Sequence, residues 1–271
     1  MVFGLFTARR RAKLRSLPVP SDWRAIVERN LSVFRRLSPA DQAELLGHVQ
    51  VFLAEKHFEG CGGLELTDEI RVTIAAQACL LLLHRETDYY PRLRSILVYP
   101  SGYTVYEQRH VGGGIWEEGG EDLLGHTQQR LSALLLAWDE VRHGAVDPRD
   151  GHNLVLHEFA HQLDFEDNVT DGTPLLETHA EYLAWGRVMS VEFEALRAAQ
   201  EEGQPTLIDQ YGAKNPAEFF AVVTEAFFER PHALQRLHPA LYEELSRFYR
   251  QDPRTFVGEP SPADERDPTS A

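Results

Sequence analysis

Apolar residues recur at helical spacing along most of the chain, and this pattern predicts a largely helical protein. Two of the predicted helices begin with strong capping signals, because Ser38 precedes Pro39 and Asn215 precedes Pro216. Serine and asparagine side chains accept hydrogen bonds from a first helical turn, and proline fits the first helical position. The predicted helices cover residues 21–36, 38–56, 67–84, 177–201, 215–228 and 238–249.

Runs of β-branched, aromatic and leucine residues predict a few strands as well. Residues 96–99 and 103–106 flank a Pro-Ser-Gly turn, and residues 131–138 form the apolar run LSALLLAW. Residues 112–125 are rich in glycine and contain no phosphate-binding motif, so we interpret them as a mobile loop. Many helices around so few strands favour the α+β class.

The two ends of the chain differ from the part between them. The first 15 residues carry five basic side chains and no acid, without the apolar run of a secretory signal. The last residues are rich in proline, acidic residues and serine, which is typical of disorder. We expect one domain over about residues 20–256, a frayed basic tail over 1–20 and a disordered tail over 257–271. No stretch is long and apolar enough to span a membrane.

One predicted helix, which follows Pro148, carries candidate chemistry. It contains His157, Glu158 and His161 in the run LVLHEFAHQLD, and Asp150 just upstream is a candidate N-cap. Four residues are about one helical turn, so both imidazoles lie on one face and can bind one Zn²⁺. Glu158 points about 100° away, where it can take a proton from a water on the metal. The pattern is typical of zinc hydrolases.

The alternative is that the two histidines are ordinary core residues with satisfied hydrogen bonds. The apolar residues around them predict a buried helix, and unpaired polar groups are costly in such a helix. A purely structural zinc site fits less well, because such sites close the fourth position with cysteine or histidine and none stands nearby. The pattern therefore favours a catalytic metal site.

Composition narrows the function classes. The formal net charge is −15, which argues against nucleic acid as a direct partner. The only cysteines are Cys61 and Cys79, so no disulfide framework is implied. Reduced thiols and the lack of a secretory signal predict a cytoplasmic protein.

A catalytic zinc usually has three protein ligands, and the candidates for the third lie after the motif. Asp164 follows His161 by three residues on the same helix and suits a supporting role behind the ligands. Glu218 and Glu225 are seven residues apart and lie on one face of the helix predicted over residues 215–228. Glu218 could instead form a capping box with Asn215. Spacing alone does not separate Glu218 from Glu225.

Four features together resemble the Mlc titration factor A family of bacterial zinc peptidases. They are HEFAHQLD at 157–164, Tyr211, NPAE at 215–218 and FYRQDP at 248–253. A more distant resemblance is to the catalytic domain of anthrax lethal factor. The likeness covers most of residues 20–253, and its specific matches lie after residue 131.

The resemblance implies a zincin-like domain that binds one Zn²⁺ per chain. By position, His157, His161 and Glu218 resemble the zinc ligands, Glu158 the catalytic base, and Tyr211 a residue that stabilises the oxyanion. Glu225 and Asp164 remain candidates for supporting roles.

Two function classes follow from the same resemblance. The first is a metallopeptidase acting on short or unfolded peptides, and an aminopeptidase is one form of it. The second is a regulator that sequesters a transcriptional repressor resembling Mlc and so controls sugar-uptake genes. The expected partners are therefore a peptide substrate or such a repressor, and neither a membrane nor nucleic acid.

Overall fold

The computed structural model describes residues 2–101, 105–110, 116–121, 132–146 and 151–258. Helices dominate it, and the few strands form two small sheets. The helices are α1 Val2–Arg15, α2 Ser21–Asn30, α3 Pro39–Glu55, α4 Asp68–Leu80, α5 Trp138–Val146, α6 Leu154–Asp164, α7 His179–Glu201, α8 Pro216–Glu229, α9 Pro231–Leu237 and α10 Pro239–Tyr249. The strands are β1 His57–Gly60, β2 Ser95–Tyr99, β3 Val105–His110, β4 Trp116–Glu121 and β5 Ala133–Ala137.

The capping signals in the sequence are used as predicted. Ser38 accepts a hydrogen bond from the N–H of Asp41 at 3.1 Å and starts α3. Asn215 accepts one from the N–H of Glu218 at 2.9 Å and starts α8. Capping satisfies N–H groups that have no partner inside the helix, which is why these starts could be read from sequence.

The main sheet is parallel, in the order β1-β2-β5. The predicted strand at 96–99 corresponds to β2, and the LSALLLAW run contains β5. Each joins its neighbour through a long crossover, as parallel strands require. Of the described residues, β5 leads directly into α5, which lies beside the motif helix.

The two strands expected around the Pro-Ser-Gly turn belong to different sheets. β2 is hydrogen-bonded on both sides within the parallel sheet, so its edges are already occupied. β3 pairs instead with β4, antiparallel, from Val105 opposite Glu121 to His110 opposite Trp116. The glycine-rich segment 112–125 is therefore not wholly a loop, and its remaining residues lie outside those described.

Other boundaries also differ from the prediction. The first expected helix ends at Asn30, and Phe34–Arg36 forms a separate 3-10 turn. The prediction missed α9, a seven-residue helix that begins directly after α8 at Pro231. Most of the expected C-terminal tail, 259–271, lies outside the described residues, but Val257 is buried.

The expected frayed N-terminus forms a helix instead. Arg11 of α1 pairs with Glu55 of α3 at 3.0 Å and with Asp88 at 2.7 Å. These two acids are 44 and 77 residues away from Arg11 in the sequence. A local sequence window cannot reveal such partners.

The motif helix α6 lies in the centre of the core. Phe159 is fully buried, with its ring 4.8 Å from that of Tyr90 and 5.7 Å from that of Phe52. On its other side α6 packs along α8. Both helices are fixed by the core, so side chains between them are held in defined positions. Among the described helices, we find none that combines the length and hydropathy needed to cross a membrane.

Candidate metal centre

Asn153 is the N-cap of helix α6, and its side-chain oxygen accepts the N–H of Leu156 at 3.0 Å. The sequence suggested Asp150 as this cap, and Asp150 lies outside the described residues. Three residues separate the cap from the N–H group that it binds, which is the usual N-cap spacing. The helix then presents His157 and His161 one turn apart, with ring centroids 4.9 Å from each other.

Helix α8 brings a carboxylate to both imidazoles. Glu218 Oε2 lies 3.2 Å from Nε2 of His157 and 3.3 Å from Nε2 of His161. One ligand atom from each of the three residues lies within 4.8 Å of the other two. Two imidazole nitrogens and a carboxylate oxygen are donors that Zn²⁺ takes in catalytic sites. The three residues could therefore hold one metal ion.

The expected capping box would use the side chain of Glu218, but the structure directs that side chain at the two histidines. Its backbone N–H is the group capped by Asn215, and its carboxylate is directed at the histidines. The side chain is only 1% exposed. A carboxylate this buried requires partners of positive charge or strong donors. Capping thus fixes the start of α8 and leaves the carboxylate for the cluster.

Glu225, the other candidate, lies behind the cluster. Its Oε1 is 2.7 Å from Nδ1 of His157, and its Oε2 accepts the backbone N–H of Asn153. One carboxylate thus joins the start of α6 to the far side of the His157 ring. Such a bond fixes the ring orientation and leaves Nε2 to face Glu218.

The charges around His157 change how it binds protons. Burial alone lowers the pKa of His157, but hydrogen bonds to Glu218 and Glu225 outweigh burial and raise the pKa to about 10. The surroundings thus favour a positive charge at this position. A metal dication would supply one, and it would have to displace that proton.

Glu158 and Tyr211 complete the cavity. Glu158 is 5% exposed and lines the same space as the two histidines. The hydroxyl of Tyr211 donates to Oε1 of Glu218 at 3.4 Å, and the tyrosine is 46% exposed. Its ring centroid lies 6.1 Å from that of His157. The structure therefore brings all five residues of the expected site to one cavity.

Asp164 has a different position from the other candidates. Its carboxylate accepts the backbone N–H groups of Gly172 at 3.0 Å and Thr173 at 2.8 Å. Burial raises the pKa of this carboxyl to about 6, although these hydrogen bonds oppose the rise. Asp164 therefore anchors the loop that follows α6.

Sequence reasoning missed the polar group that supports Glu225. The side-chain amide of Asn153 donates to Gln77 at 2.9 Å, to Glu229 at 3.0 Å and to the carbonyl oxygen of Gly144 at 3.3 Å. Glu229 stands four residues after Glu225, on the same face of α8. That spacing was the available signal. Asn153 thereby connects α4, α5, α6 and α8 behind the metal ligands.

The cavity in front of the cluster has a volume of about 340 Å³. Glu140 and His143 of α5, together with His152 and Asp209, form part of its wall. His152 Nδ1 and Asp209 Oδ2 are 3.5 Å apart. This size lies within the range of small-molecule and peptide side-chain pockets.

Comparison with known proteins identifies relatives over nearly the whole chain. An uncharacterized protein of Synechocystis is 41% identical over 244 residues, which are 90% of this chain and 89% of the relative. The Mlc titration factor A of Klebsiella pneumoniae is 30% identical over 250 residues, covering 87% and 88% of the two chains. That of Edwardsiella ictaluri is 30% identical over 225 residues, covering 80% and 83%.

The family comparison agrees with these relatives and with the resemblance seen in the sequence. The profile of the family described as glucose-regulated metallo-peptidase M90 matches residues 5–250. This match contains the whole His157, His161 and Glu218 cluster and both helices that form it. The chain therefore belongs to the glucose-regulated metallo-peptidase M90 family.

Proposed function

We propose that this chain is a zincin-like zinc metallopeptidase, with His157, His161 and Glu218 binding one Zn²⁺. The observation that carries the proposal is the convergence of their ligand atoms within 4.8 Å. We propose further that residues 20–256 form one domain, against which α1 packs. Cys61 and Cys79 are free thiols, which supports a cytoplasmic site of action.

The residues present fit such an ion. Both histidines present Nε2 to one point, and Glu218 adds a buried negative charge there. Three protein ligands of this kind leave further coordination positions open, as in catalytic zinc sites. Bound there, the ion would supply Lewis-acid chemistry by polarising a peptide carbonyl and acidifying water.

The proton transfers fall to Glu158 in this proposal. Its carboxylate, next to a ligand but on another face of α6, accepts a proton from the attacking water and passes it to the leaving amine. Tyr211 would turn its hydroxyl from Glu218 toward the carbonyl oxygen of the substrate and stabilise the negative charge that develops there. Tyr211 is 46% exposed, which leaves its side chain room to move.

Metal analysis of paired variants tests the ligand set. We expect Glu218→Ala to bind much less zinc, because it removes one of three ligands. Glu225→Ala should weaken zinc binding only about 10- to 100-fold, as expected for a residue that orients a ligand. Zinc content after dialysis against a zinc buffer measures both. Loss of zinc from Glu225→Ala but not from Glu218→Ala would show that the third ligand has been misassigned.

Hydrolysis tests the base. Glu158→Gln keeps the shape of the side chain but cannot accept the proton, so turnover should fall by about 10²- to 10⁴-fold while the zinc content stays unchanged. Cleavage should be measured with and without a chelator, on amino-terminal and on internal peptide bonds. Cleavage of amino-terminal bonds alone would identify an aminopeptidase. Wild-type turnover in this variant would remove Glu158 from the mechanism.

A second candidate function comes from the relatives. Several of them carry the name Mlc titration factor A, which describes a protein that titrates Mlc. By analogy this chain would bind a transcriptional repressor, with hydrolysis secondary. A pull-down from the chain's own cell extract, run with wild type and Glu158→Gln, separates the two. Capture of a repressor by both proteins, without cleavage of any peptide, would favour the regulator.

A further inference from the structure

A second cavity, of about 640 Å³, lies between the end of α6, α7 and α10. Among the residues that the structure describes, none lines both this cavity and that of the metal centre. Leu163 lines it, and since Leu163 follows His161 by two residues it points to the opposite side of α6. The second cavity is therefore a separate space behind the metal-bearing helix.

Arg85 is the unusual residue of this lining. Its guanidinium carbon lies 4.0 Å from the ring centroid of Phe248 and 5.9 Å from that of Tyr249. Among the described residues the guanidinium makes no hydrogen bond; its Nη1 atom is fully buried, so a ligand in the cavity would meet Nε and Nη2. Burial lowers the pKa of Arg85. A stacked guanidinium keeps its planar edge of N–H donors free, and that edge matches a carboxylate.

Glu166 supplies the opposite charge in the same lining. Within the described part of the chain its carboxylate has no hydrogen bond and no ion pair closer than 4.0 Å. Burial raises the pKa of Glu166, and the charge of Arg85 opposes that rise. The charges of Arg85 and Glu166 therefore interact across the cavity without a salt bridge between them.

Most other charged groups of the lining already have partners. The engaged groups are Arg250 with Glu177, Arg247 with Glu244, Asp88 with Arg11, and Glu181 in the capping box of α7. Arg85 and Glu166 differ from them because both are half-buried and, within the described ranges, neither side chain forms a salt bridge or a hydrogen bond. Buried charges without partners are costly to folding, so they mark positions where a ligand completes the pairing.

We propose that this cavity binds a small aliphatic zwitterion, a free amino acid or short peptide, whose carboxylate pairs with Arg85 and whose ammonium group pairs with Glu166. Apolar walls suit its side chain: Leu163, Leu175, Leu176, Trp185 and Phe248. The volume falls within the range of small-molecule sites. The site does not depend on hydrolysis at the metal centre.

Titration calorimetry of the full-length protein tests the site with three probes. L-leucine carries both charges, N-acetyl-L-leucine only the carboxylate, and L-leucinamide only the ammonium group. Wild type should bind L-leucine at least about tenfold more tightly than either derivative, because each derivative loses one charged hydrogen-bonded pair. Glu218→Ala should bind L-leucine like wild type, which separates this cavity from the metal centre.

Two variants then assign the charges. Arg85→Met keeps an apolar stem over Phe248 and should bind L-leucine no better than L-leucinamide. Glu166→Gln should likewise lose the preference for L-leucine over N-acetyl-L-leucine. Absence of L-leucine binding to wild type would overturn the proposal. The proposal would also fail if Arg85→Met ranked the three probes as wild type does. It would fail as well if Glu218→Ala were the one variant that lost L-leucine binding.

Thermal unfolding supplies an independent measurement. Arg85→Met loses the cation–π contact with Phe248 whether or not a ligand binds, so the midpoint shows whether the variant used in the binding comparison is folded. A lower midpoint together with unchanged L-leucine binding would assign Arg85 to structure alone.

Discussion

At the scale of single residues, the metal centre is a place where several carboxylates are buried together. Glu158, Glu218, Glu225 and Glu229 are each at most 5% exposed. Their partners in the structure include imidazoles, one amide side chain and backbone N–H groups. Buried charge of one sign is expensive to maintain, and a dication reduces that cost. The local chemistry thus favours a metal independently of the sequence motif.

Asp164 permits a prediction about pH at this scale. Its pKa is about 6 in the folded protein against 3.8 ordinarily, so the folded state holds this proton more tightly. The resulting stability is complete below about pH 4 and is lost as the pH rises through 6, by on the order of 3 kcal/mol. Asn cannot titrate. The free energy of unfolding of wild type should therefore fall relative to that of Asp164→Asn between pH 4 and pH 7.5. Urea unfolding across that range measures it, and a constant difference would contradict the prediction.

At the scale of elements, the site depends on where two helices begin. Asn153 caps α6 four residues before His157, and Asn215 caps α8 three residues before Glu218. His157 and Glu218 therefore lie within about one turn of a capped helix start, where backbone position is well defined, and His161 follows one turn after His157. The loop between α6 and α7 touches one of these starts, because Gly172 lies against Pro216.

That contact predicts a difference between two glycines of similar backbone conformation. Gly172 has φ +78° and a Cβ placed there would lie 2.3 Å from the carbonyl oxygen of Pro216, whereas Gly203 has φ +67° and open space around it. Gly203→Ala should cost about 1–2 kcal/mol from backbone strain alone. Gly172→Ala should cost about 1–3 kcal/mol more, and it should lower zinc content by shifting Glu218. Urea unfolding and metal analysis measure both, and equal costs would show that the loop contact does not position α8.

The same elements show what sequence could and could not predict. Some signals are local and were therefore recognised in the sequence: the caps at Ser38 and Asn215, the apolar run of β5 and the histidine pair. The partners of β2, the helical state of Val2–Arg15 and the bonds of the Asn153 amide to Gln77 and Glu229 depend on residues far away in the chain. Glu218 and Glu225 were equal by spacing, since only the packing of α6 on α8 decides which carboxylate meets both imidazoles.

At the scale of the whole molecule, α6 separates two cavities. One face carries His157 and His161 toward the cavity of about 340 Å³, and the opposite face carries Leu163 toward that of about 640 Å³. α8 supports the first and α7 with α10 encloses the second. Because α6 belongs to the core that both cavities share, unfolding of the domain removes both cavities together.

Metal removal should therefore be visible in the stability of the entire chain. An ion that binds only the folded protein stabilises it by about 4 kcal/mol when present at about 1,000 times its dissociation constant. A chelator should lower the thermal midpoint of wild type by several degrees, since one kcal/mol shifts the midpoint of a domain of this size by about 2–4 °C. Glu218→Ala lacks a ligand and should unfold at the same temperature with and without chelator. Calorimetry on both proteins measures the shift. An equal chelator effect in wild type and variant would mean that the metal binds elsewhere, because only a site that includes Glu218 can lose its contribution through this substitution.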